Sequence, residues 1–198
     1  HLLGVSMTNT PVDDLDVSLQ AVGDVVARIR TDQWQGATPC SAWSVRDVTN
    51  HLALGSRLFA GLLAGKPGYP LAPGYADALG DDPAGAYRAY AADVVTAFRR
   101  PGALEQVVEA PVGAIPGIAA VQLRTVEDLV HGWDLAVATE QHVDYPDDIV
   151  ERALAFTHEQ LAGVASGDDG PFAPPQPHPD DAPPIDRLVA LLGRRPRG

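Results

Sequence analysis

The sequence predicts an all-α fold: a four-helix bundle with one additional helix and a short C-terminal tail. Apolar residues recur at three- and four-residue spacing through four long segments, three of which open on a capping signal. Pro- and Gly-rich stretches separate those segments, and the one stretch that alternates in polarity is too short for a central sheet. A helix that hides a single apolar stripe must bury it against neighbours, so four such segments in 198 residues imply a bundle. The expected division is a helical bundle over residues 8–165, then a Pro-rich linker and a short tail over 166–198 that packs on it.

Helix one starts at Thr10, an N-cap followed by Pro11 at the first helical position and by Asp13, which closes a capping box. Its stripe is Leu15, Leu19, Val22, Val26 and Ile29. In "WSVRDVTNHLALGSRLFAGLLAG", Ser44 caps helix two, Asp47 completes the box and Trp43 is placed to staple against Val48. Helix two runs to about Gly65 and buries Val48, Leu52, Gly55, Phe59 and Leu62, with His51 in the same stripe. "GKPGYPLAPGYADALGD" holds too much Pro and Gly for a helix and forms a long surface connection, of a length that often covers a site. Asp82 and Pro83 open helix three, whose face is Tyr87, Tyr90, Ala91, Val94 and Phe98, and Pro101 ends it. "LEQVVEAPVGAIPG" reads as a short hairpin or an irregular crossover. Helix four begins near Gly117. Helix five follows Pro146 over about residues 147–163 with Val150, Leu154 and Leu161 inward, and "PIDRLVALLG" is a short amphipathic piece in the tail.

Composition narrows the function classes. Fourteen basic against twenty-six acidic residues give a formal charge of −12, which opposes binding to nucleic acid or to an anionic membrane surface. No run approaches the eighteen apolar residues of a spanning helix, and no basic-then-apolar leader is evident, so the expectation is a cytoplasmic protein, monomer or homodimer, acting on small molecules. Residues 1–6 precede the only methionine, Met7, and are left out of the fold argument. A single cysteine, Cys40, excludes an intrachain disulfide and a thiolate zinc cluster, so a metal site must use His and carboxylates.

Such residues stand in "VEDLVHGWDLA". Glu127 and His131 are four apart on helix four, with Leu123 and Leu135 one turn to either side, so both side chains share one face at chelating distance. A carboxylate in a buried stripe needs a partner. Glu127 has three candidates: a metal, a hydrogen bond to His131, or pairing with Arg124. His51, taken alone, reads as a hydrogen-bonded core histidine. Together on two helices that must pack, His51, Glu127 and His131 would form the two-His-one-carboxylate set of open catalytic zinc sites. His158 is a reserve ligand that could face inward from helix five, or a core or rim residue; His142 and His178 are expected in solvent. Cys40 lies just before a helix N-terminus, where a thiolate is favoured, or is a small hydrophobe in a "TPC" turn.

"TPCSAWSVRDVTNHLALGSRLFAGLLAG", "LRTVEDLVHGWDLAVATEQ" and "DAPPIDRLVALLGRRP" resemble the actinobacterial metal-binding proteins related to the N-terminal domain of mycothiol-dependent maleylpyruvate isomerase, in the DinB-like superfamily. The resemblance covers nearly the whole chain from about Leu15 and implies a DinB-like four-helix bundle. It also implies a divalent metal, zinc first, on His51, Glu127 and His131, and a low-molecular-weight thiol such as mycothiol as cofactor or co-substrate. Three protein ligands leave a position where a bound thiol would ionise below its free pKa of about 8.5. The expected function is thus a thiol-dependent transferase or isomerase attacking a small electrophile, with Asp134 supporting the ligands; Trp133 and the loop holding Tyr69 and Tyr75 are candidate walls for the electrophile, or else packing residues and loop anchors. Two alternatives use the same ion: a hydrolase or tailoring enzyme activating water or a carbonyl, and a non-catalytic module whose shell His158 would close.

Overall fold

Local capping chemistry fixes where the first three helices begin. In the computed structural model, which describes residues 9–72, 74–162 and 173–197, the Thr10 hydroxyl accepts from the Asp13 amide while the Asp13 carboxylate accepts from the Thr10 amide, opening α1 (Pro11–Ala27). Ser44 and Asp47 repeat the exchange at the start of α2 (Val45–Leu63), and the Asp82 carboxylate accepts from the Gly85 amide at the start of α3 (Pro83–Arg99). The later helices are each entered from a proline, whose fixed φ turns the chain without a side-chain cap: Pro116 before α4 (Gly117–Ala138), Pro146 before α5 (Asp147–Leu161) and Pro183 before α6 (Pro184–Leu191). The stretch left open between hairpin and crossover is a hairpin: β1 (Val107–Ala110) pairs antiparallel with β2 (Gly113–Pro116). No larger sheet occurs among the described residues.

Helices α1 to α4 form the predicted bundle, and its order is not the order of the chain. The packed seams are α1 with α3, α3 with α2, α2 with α4, and α4 with α1, so α1 and α2 lie across one diagonal and α3 and α4 across the other. The segment between α1 and α2 and the hairpin between α3 and α4 therefore each cross an end of the bundle. Inside, Leu15, Leu19 and Val22 of α1 meet Leu52, Leu58 and Phe59 of α2, Tyr87 and Phe98 of α3, and Val121 and Leu135 of α4. A second apolar cluster lies on the other side of α4, where Val126, Leu129, Val130 and Trp133 pack against Ile149, Val150 and Leu154 of α5 and Leu188 and Val189 of α6. Helix α4 is consequently buried on nearly all sides.

The long connection after α2 is strapped back onto that helix. Asn50 donates to the Ala76 carbonyl and accepts from the Ala78 amide, and Leu79 is buried beneath the strap. Boundaries differ slightly from those the sequence predicts. Helix α1 stops before Ile29, which still packs on the core, and a short 3₁₀ turn at Thr31–Gln33 follows. Helix α5 ends at Leu161, and residues 163–172, with most of the expected linker, lie outside the described residues. Among the described residues no helix is long and apolar enough to cross a membrane.

Candidate metal centre

The seam between α2 and α4 brings the three expected residues together. His51 Nε2 lies 3.1 Å from Glu127 Oε2, and His131 Nε2 lies 3.2 Å from the same oxygen. Potential donor atoms of all three fall within 4.8 Å of one another. Both imidazoles are largely buried, with side chains 13% and 12% exposed, whereas Glu127 remains 34% exposed and gives the cluster its access to solvent. The seam forms here because Glu127 and His131 are one turn apart on α4, and because His51 follows Val48 on the buried face of α2.

A second layer of contacts orients His131. Its Nδ1 lies 3.2 Å from Asp134 Oδ2, which leaves Nε2 to face the cluster. Asp134 is fully buried and accepts two hydrogen bonds from Arg194, at 3.2 Å from Nε and 2.9 Å from Nη2. Cys40 and Asp134 also bring donor atoms to within 4.8 Å of His131. Trp43 covers both imidazoles: its ring is 4.6 Å from that of His51 and stacks at 6.0 Å on that of His131. Cys40 and Trp43 belong to one turn held by Thr38, whose hydroxyl lies within hydrogen-bonding distance of the Cys40 and Trp43 carbonyls. Ala42 in that turn has a left-handed backbone with φ of 74°.

The electrostatics separate the two histidines. Burial holds the His51 pKa below its ordinary 6.5, only partly countered by Glu127. Burial also opposes charge on His131, but hydrogen bonding to Asp134, Cys40 and Glu127 outweighs it and raises that pKa well above 6.5. For Glu127, burial pushes upward, yet the hydrogen bonds from His131 and His51 leave the carboxyl well below the usual range. His51 Nδ1 is buried and has no hydrogen-bond partner among the described residues. Two imidazole nitrogens and a carboxylate oxygen directed at one point fit a divalent ion that accepts mixed nitrogen and oxygen ligands.

Several sequence expectations need correction. Arg124 does not pair with Glu127. It turns into the bundle, where its guanidinium lies 3.9 Å from Asp128, sits over the Phe59 ring at 5.7 Å and occupies the space left by Gly55. Burial lifts the Asp128 carboxyl to about 6 against the pull of Arg124. His158 is exposed on α5, because Thr157 takes the inward position near the helix end, so it does not supply a fourth ligand. Of the two readings of Trp133 the packing one holds: it lies in the second cluster with α5 and α6, and the ring against the imidazoles is Trp43. Tyr69 and Tyr75 stack on each other at 5.2 Å, and Tyr69 donates to the Leu54 carbonyl, so they anchor the strap. His142 and His178 are exposed as expected. Arg194, which no motif or spacing in the sequence singles out, is the further residue that the structure brings to the site.

Residues 15–136 match the family described as the mycothiol maleylpyruvate isomerase N-terminal domain. Two relatives from Mycobacterium tuberculosis, the uncharacterized proteins Rv0738 (strain ATCC 25618 / H37Rv) and MT0763 (strain CDC 1551 / Oshkosh), are each 35% identical over 177 residues, covering 89% of this chain and 93% of theirs. The fold is similar to the crystal structure of the mycothiol-dependent maleylpyruvate isomerase, with a TM-score of 0.56, and to that of a histidine-to-alanine mutant of it, with 0.58. Both matches are 15% identical and cover 73% of this chain, which spans 66% of the isomerase's length. The chain therefore belongs to the mycothiol maleylpyruvate isomerase N-terminal domain family.

Proposed function

We propose that this chain is a metal-dependent thiol transferase or isomerase, holding one divalent ion, zinc in the first instance, on His51, Glu127 and His131. It would use a low-molecular-weight thiol of the mycothiol kind against a small electrophile. The observation that carries this reading is the convergence of two imidazole Nε2 atoms on one oxygen of Glu127, at 3.1 and 3.2 Å. The mycothiol dependence named for the structurally similar isomerase supports the choice of thiol. When bound, the ion supplies Lewis acidity, which lowers the pKa of a thiol reaching its open position from about 8.5. Asp134 keeps the proton of His131 on Nδ1, so that Nε2 presents its lone pair, and Arg194 keeps Asp134 in place. Glu127 would offset part of the ion's charge, and Trp43 packs against both imidazoles.

Metal content per chain after purification without chelator tests the assignment. His131→Ala is expected to lose the ion and any thiol-dependent turnover while its helical circular dichroism persists, because the apolar stripes around the site still pack. His158→Ala is expected to retain the metal, being exposed. Full occupancy in His131→Ala, or loss confined to His158→Ala, would mean that Glu127 and the histidines are a hydrogen-bonded cluster and nothing more.

A further inference from the structure

Beside the candidate centre lies a cavity of about 200 Å³ with Glu127 on its wall. Its apolar walls include Ile115 from β2, Ala119, Leu123 and Val126 from α4, Phe156 from α5, and Leu192 just beyond α6. Thr157 and Gln160 are its other polar side chains, and among the described residues no Lys, Arg or His lines it. An apolar cavity of about 150 Å³ already takes a benzene molecule, so this one has room for a ring or a short branched chain.

The lining also selects by charge. An anionic ligand body here would give up its hydration and find no cation among the described lining residues to replace it. An uncharged apolar body loses little on leaving water and gains contact with the apolar lining. We propose that this cavity is the subsite for the body of the electrophile, and that the substrate class is accordingly uncharged and apolar, of about the size of one substituted ring. The word electrophile rests on the metal–thiol chemistry above. Selection against anions follows from the cavity lining alone.

Fluorine NMR with two matched probes tests this without thiol present: para-fluoroacetophenone, uncharged, and para-fluorobenzoate, its anionic near-isostere. The ketone is expected to bind the protein about tenfold more tightly than the benzoate, or better. Ala119→Phe, which places a ring into the cavity from α4, should weaken the ketone about tenfold or more, and Leu123→Lys, at a half-buried position on the wall, should reverse the preference. Equal or tighter binding of the benzoate by the unsubstituted protein, or a ketone affinity indifferent to both substitutions, overturns the proposal. Should Ala119→Phe fail to fold, the reversal in Leu123→Lys decides. Zinc content and thiol turnover are scored separately on the same samples. Loss of the probe preference with turnover intact counts against the cavity, while an intact preference in protein lacking metal or turnover counts against the metal–thiol chemistry and leaves the cavity standing.

Discussion

His131 is the residue on which the site's layers meet, since it faces Glu127 through Nε2 and Asp134 through Nδ1. With its pKa raised well above 6.5 and that of Glu127 held low, the ion-free pair is an imidazolium and a carboxylate at neutral pH. A metal needs the imidazole neutral. Uptake near pH 7 should therefore release a proton, and affinity should climb with pH until it passes the His131 pKa and then level off. Calorimetric titration of zinc in two buffers of different ionisation enthalpy measures this directly, and a heat independent of buffer would contradict it. Asp134→Asn removes the charge that orients His131 and should weaken metal affinity about 10- to 100-fold, read by competition with a chelator. How much of this was legible depends on distance along the chain. His51, Glu127 and His131 announce themselves by breaking apolar stripes, and Asp134 by its spacing from His131. The Arg194–Asp134 pair joins residues sixty positions apart, and no local period encodes it.

At the scale of helices, the seam between α2 and α4 depends on a small residue facing a large one. A Cβ added at Gly55 would lie 2.3 Å from Arg124 Nη1 and 2.6 Å from Cζ, and that guanidinium is buried with few ways to move. Gly55→Ala gains about 1 kcal/mol of helix propensity, but overpacking of about 1–3 kcal/mol should offset or exceed the gain. A clear rise in Tm on thermal unfolding would show that Arg124 can shift. Ser44→Ala removes the hydroxyl half of the α2 capping box and should cost about 1 kcal/mol in urea unfolding, with unchanged m-value. The starts of the first five helices, capped or entered from a proline, were all legible in the sequence. Helix α4 was the hard case in phase: both faces are buried, so its periodicity does not say which apolar side chains meet the bundle and which meet α5 and α6. The wall reading of Trp133 fails for that reason, and the inward reading of His158 because α5 covers the body along one narrow strip that Thr157, not its neighbour, completes.

Across the whole molecule, two apolar clusters share α4, and the second ties the C-terminal segment to the site. Leu188 is fully buried beneath α5, while Arg194, a few residues on, holds Asp134. Leu188→Ala should destabilise by about 2–5 kcal/mol; by loosening α6 it should also weaken zinc retention, although residue 188 touches no ligand in the cluster. Normal metal affinity in that variant would show that Arg194 is held independently of the helix before it. The diagonal order of the bundle bears on how the protein comes to exist at all. Of its four seams only that between α2 and α3 joins consecutive helices; the seam carrying His51 opposite Glu127 and His131 must wait until the chain has passed through α3 and the hairpin. Contacts between segments so far apart in sequence are slow to close, because the loop entropy is lost before the contact forms. The proposed ligand set should then be a late product of folding, incomplete at the rate-limiting barrier and unable to act as a nucleus. Added zinc should accordingly slow unfolding in stopped-flow measurements and leave the refolding rate nearly unchanged, making the ion a latch on a finished molecule.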